Sequence, residues 1–449
     1  MDLLKGNIKH IFFRYLAAAF GSAMISSIYG IVDMAVVGQY QGPEGTAALA
    51  VVAPIWNIIY SLGLLMGIGG SVLFSIANAQ NDSDEKKQYF SASVIGGILL
   101  SLLFWFVLLF FEDKMLVLFG ADESTMALAG EYLLPVRYVV PVFLFNQLLA
   151  AFLRNDNAPS LATAAVLAGG IFNIFGDIFC VFTLNMGIRG AGLATAIGAS
   201  ITTLCMLTHF FSKENTLHLI RPTQLFHRLK KITVLGFSTF IVDVAMGVLT
   251  MLFNRQIVKY LGTDALAVYG IIVNISTIVQ CCAYSAGQAA QPIMSMNHGA
   301  AQTQRVIETL RYGIFMSLIF GIVWTLIICL FPNVIVRIFM TTTSSILSIA
   351  PSIMRTYGIS FLLLPFNVFS TYYFQAVVQP KASFLISVLR GILISGILIY
   401  ILPVLFGSKA VWFTMPITEL LICILAAHHI RLSLPKKGPK MSLQAHHAK

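Results

Sequence analysis

Residues 94–111, VIGGILLSLLFWFVLLFF, form an apolar run without a charged residue, long enough for a helix to cross a bilayer. Residues 314–331, IFMSLIFGIVWTLIICLF, have the same character. Of the 449 residues, 58% are hydrophobic and only 10% are charged, with a mean hydropathy of +0.85. Soluble domains carry about 25% charged residues, so this chain cannot cover itself with a polar surface. Continuous runs of this length predict membrane-spanning helices rather than the alternating strands of a barrel.

Charged and turn residues divide the chain into twelve predicted spans. We place them near 11–38, 46–78, 89–111, 131–153, 160–182, 190–211, 233–259, 264–290, 308–331, 350–378, 382–403 and 408–430. A basic connection at 213–232 predicts a cytoplasmic linker between an N-terminal six-helix lobe, 1–212, and a C-terminal six-helix lobe, 233–430, followed by a basic tail at 431–449. The segment GPEGTAALAV at 42–51 resembles GTDALAV at 262–268. The expected fold is therefore an all-α polytopic membrane protein with two pseudo-symmetric lobes, an arrangement common in transporters.

The positive charges predict the orientation. Most of the 28 lysines and arginines fall on the side of the N-terminus, which predicts a multi-pass protein of the inner or plasma membrane with both termini cytoplasmic. We therefore assign the net charge of +10 to membrane orientation and expect no nucleic-acid partner. The first apolar stretch lacks a cleavage site and is expected to be the first span rather than a signal peptide. All six cysteines lie in or beside spans, which predicts neither disulfides nor a cysteine metal site.

Ionisable side chains inside spans are costly, at about 2.5–3.5 kcal/mol each on insertion scales, so each is a candidate functional group. Asp33, Asp177 and Thr195 are expected at one depth, roughly 7–8 Å from the outer end of their spans. Tyr29 and Asn173 lie one turn deeper than the two acids, on the same helix faces. This gives five oxygen-bearing side chains of the first lobe at comparable depth.

Two ligands suit such a set. Carboxylate, amide and hydroxyl oxygens could coordinate Na⁺, and two neighbouring carboxylates could share one proton because like charges repel. The sequence does not separate these alternatives, and no other metal site is predicted. The structural alternative is that each acid caps a helix or pairs with Arg137 or Arg189.

Asp243 and Arg390 are predicted deep in the second lobe, in spans seven and eleven. A mutual ion pair is the slightly favoured interpretation, and a gate or second coupling group is the alternative. Glu419 in span twelve is a competing partner for Arg390. Polar side chains in other spans are candidates for a substrate cavity, although interhelical hydrogen bonds would explain each of them as well. These are Gln147, Gln280, Gln288, Tyr372 and Gln375.

Four segments resemble motifs of the MATE family of multidrug and toxic compound exporters, over nearly the full length of the chain. They are YGIVDMAVVG at 29–38 in the first span, NIFGD at 173–177, GAGLATA at 190–196 and GQAAQPIMSMNHGA at 287–300. The resemblance implies a V-shaped pair of six-helix bundles that works by alternating access. It also implies a cation site at Asp33, Asn173, Asp177 and Thr195, with Tyr29 adjacent, as in the DinF- and MepA-like branch.

Two departures from the family pattern stand out. Span ten has no acidic residue, which makes the mechanism of the NorM branch unlikely. Span one has no proline, so any bend there would have to use Gly21 or Gly30.

The functional prediction is an antiporter, coupled to Na⁺ or H⁺, that exports small organic and mostly cationic compounds. No P-loop is present, so an ion gradient rather than a built-in ATPase would drive export. The alternative is a flippase for a lipid-linked sugar or metabolite, which would need a more cationic cavity, and a remote alternative is an intramembrane enzyme. We expect no enzymatic activity, no cofactor beyond the coupling ion, membrane lipids as surroundings and a monomeric state.

Overall fold

The computed structural model describes residues 3–339 and 343–434, and within these ranges it is helical almost throughout. Within these described ranges, twelve helical segments are long and apolar enough to cross a membrane, which confirms the predicted number, and we call them α1 to α12 in chain order. Their bounds are Ile8–Gly42, Glu44–Ala79, Ser83–Leu118, Thr125–Asn155, Pro159–Thr183, Gly187–Phe211, Leu225–Leu261, Thr263–Gly299, Thr303–Leu330, Ser344–Ala376, Pro380–Phe406 and Ser408–Ser433.

Several spans are interrupted. A 3₁₀ turn, Arg137–Val139, breaks α4, and another, Ile359–Leu362, breaks α10. The final turns of α6, Thr208–Phe211, and the first turns of α12, Ser408–Phe413, are also 3₁₀. A short helix outside the twelve, Pro332–Phe339, follows α9. Most of the predicted basic tail lies outside the described residues, which end at 434.

The two lobes repeat two local features. α1 turns into α2 at Gly42, where φ is +68°, and α7 turns into α8 at Gly262, where φ is +83°. This left-handed conformation favours glycine and explains the resemblance between 42–51 and 262–268. A π-helical turn also occurs at Phe179–Thr183 in α5 and at Leu389–Leu393 in the equivalent span α11. These shared features support the pseudo-symmetric arrangement of the six-helix lobes.

The seventh helix begins earlier than its predicted span. α7 starts at Leu225 rather than near 233, because its first two turns are polar and carry no transmembrane signal. Arg228 in this extension donates to Glu85 at the start of α3 (Nη1–Oε1 2.7 Å) and lies over the ring of Tyr89. The last part of the predicted linker, from Leu225 onward, is therefore the beginning of α7 and contacts the first lobe.

The lobes touch at the end of the molecule where the chain begins. Gly69 of α2 packs so closely on α7 that a Cβ there would overlap the carbonyl oxygen of Ile232, and Gly236 meets Leu65 in the same way. Asn155 of α4 donates to Gln291 of α8 near the same end (Nδ2–Oε1 3.2 Å). We call these contacts the closed end.

At the opposite end, described residues of α1, α7 and α8 leave open space beside their helices. Gly30 of α1, Gly247 of α7 and Gly270 of α8 have open space around them. Large apolar side chains of α1 and α7 are exposed there, including Ile31 and Met251. The backbone of α1 keeps helical φ and ψ angles up to Gly42, through both Gly21 and Gly30.

Candidate functional site

The structure brings the predicted polar residues of the first lobe together between α1, α4, α5 and α6. Asn173 donates through Nδ2 to Thr195 Oγ1 (3.0 Å) and to Asp177 Oδ1 (3.4 Å). Asp33 Oδ2 accepts a hydrogen bond from the hydroxyl of Tyr132 (3.0 Å). These five side chains, which are all buried, are Asp33, Tyr132, Asn173, Asp177 and Thr195. We call them the first-lobe acid cluster.

Glycines in α5 allow this close approach. A Cβ at Gly170 would lie 2.8 Å from Ile25 Cγ1 of α1 and 3.3 Å from the ring of Tyr29. A Cβ at Gly176 would lie 3.0 Å from Ala194 Cβ of α6. Because α5 presents hydrogen atoms at these positions, it packs against α1 and α6, and its polar side chains lie between them.

Three buried oxygens of the first-lobe acid cluster have no hydrogen-bond partner within the described residues: Asp33 Oδ1, Asn173 Oδ1 and Asp177 Oδ2. Buried polar atoms normally have partners, and a buried carboxylate without one is especially costly. The two acids also interact electrostatically, since the charge of Asp33 acts on Asp177. The chemistry of this set, three oxygen acceptors and two negative charges, fits a small cation or a proton.

Neither acid of the cluster pairs with Arg137, which was the structural alternative considered from the sequence. This guanidinium donates through Nη2 to Glu112 Oε1 at 2.9 Å, which ties α4 to α3. Arg189 is an exposed residue in the first turn of α6 and forms no ion pair within the described ranges. The acids of the first-lobe cluster are therefore not neutralised by the arginines considered from the sequence.

A central cavity of about 350 Å³ lies between the lobes. Tyr29, Asn173 and Thr195 form part of its first-lobe wall, whereas Asp33 and Asp177 lie behind that wall. Three of the predicted cavity residues also line it, namely Gln147, Gln280 and Gln288. The acid cluster and the cavity thus share side chains, so occupancy of one can affect the other.

Asp243 is the acidic residue that lines this cavity. Its Oδ1 accepts from the hydroxyl of Tyr284 (2.5 Å), which in turn accepts from Gln280 Nε2 (2.6 Å). Its Oδ2 is buried and has no partner within the described chain. A negative group with one free oxygen therefore faces the space between the lobes.

The predicted ion pair between Asp243 and Arg390 is not formed. Arg390 instead binds Glu419 of α12, with Nη2–Oε1 at 2.7 Å and Nε–Oε1 at 2.9 Å, and Glu419 also accepts from Asn367 (2.6 Å). The reason is that α11 turns Arg390 toward α12, whereas Asp243 on α7 is occupied by Tyr284. The competing partner recognised in the sequence is the actual one, and these contacts tie α10, α11 and α12 together.

Two predicted cavity residues lie outside the central cavity. Gln375 donates through Nε2 to the carbonyl of Leu235 (3.0 Å) and to Thr239 Oγ1 (2.8 Å), and so joins α10 to α7. Tyr372 is buried beside Tyr284, with ring centroids 6.1 Å apart, and its hydroxyl has no partner among the described residues.

Sequence reasoning missed two residues of this region. Tyr132, the donor to Asp33, lies one residue from the predicted start of span four near 131, so depth did not single it out; in the structure α4 already begins at Thr125. Arg154 lies near the inner end of α4, and in the sequence nothing distinguishes it from the other lysines and arginines on the side of the N-terminus. In the structure it is 6% exposed and lines the central cavity.

Comparisons with known proteins agree with this architecture. The multidrug export protein MepA of Staphylococcus saprophyticus is 25% identical over 409 residues, covering 90% of this chain and 89% of that protein. MepA of Staphylococcus aureus strain MSSA476 is 26% identical over 408 residues, with the same coverage.

Solved structures share the fold. One, described as the outward-facing conformation of a multidrug resistance MATE family transporter of the MOP superfamily, superposes with a TM-score of 0.88 at 20% identity and covers 96% of this chain and 97% of its own. A MOP superfamily transporter from Pyrococcus furiosus, whose binding pocket is described as having reverse polarity, superposes with a TM-score of 0.89 at 21% identity and the same coverage.

The MatE family model matches this chain twice, at residues 18–179 and 232–401, once in each lobe. The two matches together cover most of the chain. They agree with the motifs in spans one, five, six and eight and with the two packed lobes. This protein therefore belongs to the MatE family of membrane transporters.

Proposed function

We propose that this protein is an antiporter, coupled to Na⁺ or H⁺, that exports small organic and mostly cationic compounds by alternating access. The observation that carries the proposal is the set of three unpartnered oxygens on Asp33, Asn173 and Asp177. A burial cost of this kind is retained where a cation or proton binds during the transport cycle. The names of the staphylococcal relatives, which are multidrug exporters, support the same interpretation.

The coupling ion would act on helix packing in the first lobe. Asp33 on α1 and Asp177 on α5 repel each other when both are charged, and a bound Na⁺ or proton removes most of this repulsion. Asn173 and Thr195 connect the acids to the wall of the central cavity. Ion binding would therefore reshape the wall that substrate contacts. By thermodynamic reciprocity, substrate must weaken ion binding by the same factor as the ion weakens substrate binding.

The central cavity suits an organic cation. Asp243 provides the negative charge, and Tyr60 and Tyr284 provide aromatic surface on which a flat cation can lie. Met246 adds an adaptable apolar side chain, which helps one site accept different shapes. We propose that the closed end faces the cytoplasm, in agreement with the distribution of lysine and arginine, and that the protein works as a monomer in the membrane.

The test is efflux of ethidium from proteoliposomes that contain the full-length protein, under a Na⁺ gradient and separately under a pH gradient. We expect one gradient to drive efflux in the wild type, and we expect Asp33→Asn and Asp177→Asn to abolish it while retaining insertion. The matched control is Asp113→Asn, which changes an exposed acid at the end of α3 and should leave efflux unchanged.

Two outcomes would contradict the proposal. If both cluster variants export ethidium at the wild-type rate, the first-lobe acid cluster does not couple transport. If the wild type moves ethidium under neither gradient, organic-cation antiport is wrong, and translocation of a lipid-linked sugar becomes the function to test.

A further inference from the structure

The floor of the central cavity carries a buried positive charge without a counter-charge. Arg154, at the inner end of α4, lines the cavity and is only 6% exposed. Among the described residues, its guanidinium forms neither an ion pair nor a side-chain hydrogen bond. The nearest carboxylate in the sequence, Asp156, is engaged by His209 (Nε2–Oδ2 2.7 Å) and by the hydroxyl of Thr216 (2.6 Å). No described side chain therefore neutralises this guanidinium.

Arg154 lies directly beside the contact that closes the cavity. The next residue, Asn155, accepts a hydrogen bond from Ser75 of α2 (Oγ–Oδ1 2.6 Å) and donates to Gln291 of α8 (Nδ2–Oε1 3.2 Å). Nearly one turn before Gln291 on the same helix, Gln288 lines the cavity. The guanidinium thus lies between the open volume of the cavity and the polar contact that joins the lobes at the closed end.

Steric contact alone is a weak seal against small cations at this point. The groups that meet there, the hydroxyl of Ser75 and the amides of Asn155 and Gln291, are ones that a small cation or a proton can follow. Above them, the carboxylate of Asp243 draws cations into the cavity, because one of its oxygens has no partner in the described ranges. With the closed end toward the cytoplasm, an inside-negative membrane potential drives these cations toward the contact.

A fixed guanidinium at the floor opposes this leak. Arginine stays charged in proteins, and in a buried site its charge repels a cation more strongly than in water because the surroundings screen it less. A fixed arginine excludes protons and other cations from some water-filled pores in this way. The barrier requires an unpaired guanidinium, since a neighbouring carboxylate would cancel its field. This requirement explains why the burial of Arg154 is not offset by an ion pair.

We propose that Arg154 is the cation barrier of the closed end, and that its positive charge stops Na⁺, H⁺ and other small cations from leaking between the lobes. This inference rests on the proposed function, because antiport conserves the ion gradient only if the coupling ion crosses the membrane as part of the transport cycle. The barrier acts on free ions and requires no substrate. Its loss should therefore appear as a leak that is selective for cations.

The test measures ion leak in the absence of any substrate. The full-length protein is placed in phosphatidylcholine liposomes, and an inward thiocyanate gradient sets an inside-negative potential. Uptake of radioactive Na⁺ and Rb⁺ and release of radioactive Cl⁻ are followed. Repulsion between unit charges about 10 Å apart, at an effective dielectric constant of about 20, corresponds to a factor of about ten or more. We therefore expect Arg154→Gln to raise both cation leaks about tenfold and to leave the Cl⁻ leak unchanged.

Matched variants separate the charge of Arg154 from the bulk of its side chain. Arg154→Lys keeps the charge and should leak no more than the wild type. Arg189→Gln makes the glutamine change at an exposed position and should have no effect. Gln288→Glu leaves the arginine in place and adds a carboxylate beside it, since Tyr372 lies close to both side chains. This variant should also leak cations, and it tests the inference if Arg154→Gln fails to fold.

Three results would overturn the inference. Cation leaks equal to that of the wild type in Arg154→Gln and Gln288→Glu would show that charge at the floor is not a barrier. Equal rises of the Na⁺, Rb⁺ and Cl⁻ leaks would indicate a nonspecific hole, and a rise confined to one cation would indicate slippage of the transport cycle. Failure of ion-driven ethidium efflux in the wild type, together with a cation-selective leak in Arg154→Gln, would contradict the proposed antiport and leave the barrier standing.

Discussion

The close contact between Gly69 and α7 predicts that a single methyl group can open the closed end. A Cβ at Gly69 would overlap the carbonyl oxygen of Ile232 and lie 3.0 Å from the backbone nitrogen of Gly236. Both neighbours are backbone atoms, so no side-chain rotation can relieve the overlap. Because favourable carbon contacts need about 3.5–4.0 Å, α2 and α7 must separate by more than about 1 Å.

The energetic effect follows from this geometry. Overpacking of a well-packed contact costs about 1–3 kcal/mol, which here falls only on conformations in which α2 and α7 touch. A bias of about 1–3 kcal/mol corresponds to a shift of about 5- to 150-fold between two conformations. Alanine has a higher helix propensity than glycine, by about 1 kcal/mol, so Gly69→Ala should stabilise the helix α2 itself. Any loss of contact between α2 and α7 must therefore come from the overlap and not from a weakened helix.

The assay is a distance measurement by double electron–electron resonance. Spin labels are placed at Ser83→Cys and Thr303→Cys, exposed positions at the starts of α3 and α9, in a chain whose six native cysteines have been replaced. We expect Gly69→Ala to increase the population with the larger separation. Gly247→Ala, in open space on α7, is the control. Identical distance distributions for the two variants would refute the reasoning that this contact keeps the lobes together.

Two further predictions concern single side chains. Tyr132→Phe removes the hydroxyl that donates to Asp33. Hydrogen bonds to charged groups contribute about 1.5–3 kcal/mol, so the ion-free carboxylate loses that stabilisation and the half-saturating concentration of the coupling ion in ethidium efflux should fall about tenfold or more. An unchanged ion dependence, equal to that of the exposed control Tyr138→Phe, would contradict it. Glu419→Gln leaves the guanidinium of Arg390 buried without a counter-charge and should destabilise the second lobe by about 3–5 kcal/mol. The midpoint of thermal unfolding in detergent should then lie well below that of the exposed control Glu123→Gln. Equal midpoints for these two variants would show that the pair contributes nothing.

Much of the first-lobe acid cluster could be predicted from sequence because depth along a helix is read directly from residue position. Asp33, Asp177 and Thr195 lie similar distances from the ends of their spans, and a rise of about 1.5 Å per residue places them at one level. Their side chains could meet only at that level, and the structure shows that they are near neighbours. Coupling of this cluster to an ion remains a prediction.

Depth alone did not identify partners in the second lobe. Asp243 and Arg390 are at similar depths, but rotation of α11 about its axis turns Arg390 toward Glu419. Gln375 similarly faces the backbone of α7 rather than the central cavity. Rotation about the axis depends on how neighbouring ridges and grooves pack, and these contacts come from residues distant in sequence.

The sequence by itself determined the membrane environment, the number of spans and the duplicated lobes, because lipid requires long apolar helices and the two halves repeat the same glycine turns. It also placed the candidate acids at a common depth. Only the tertiary structure decided which side chains face each other, where the lobes touch, and that Arg154 lines the cavity opposite Asp243. Spacing along a helix specifies the depth of a residue in the membrane. The direction in which its side chain points, and the groups that it meets, depend on how the twelve described helices pack.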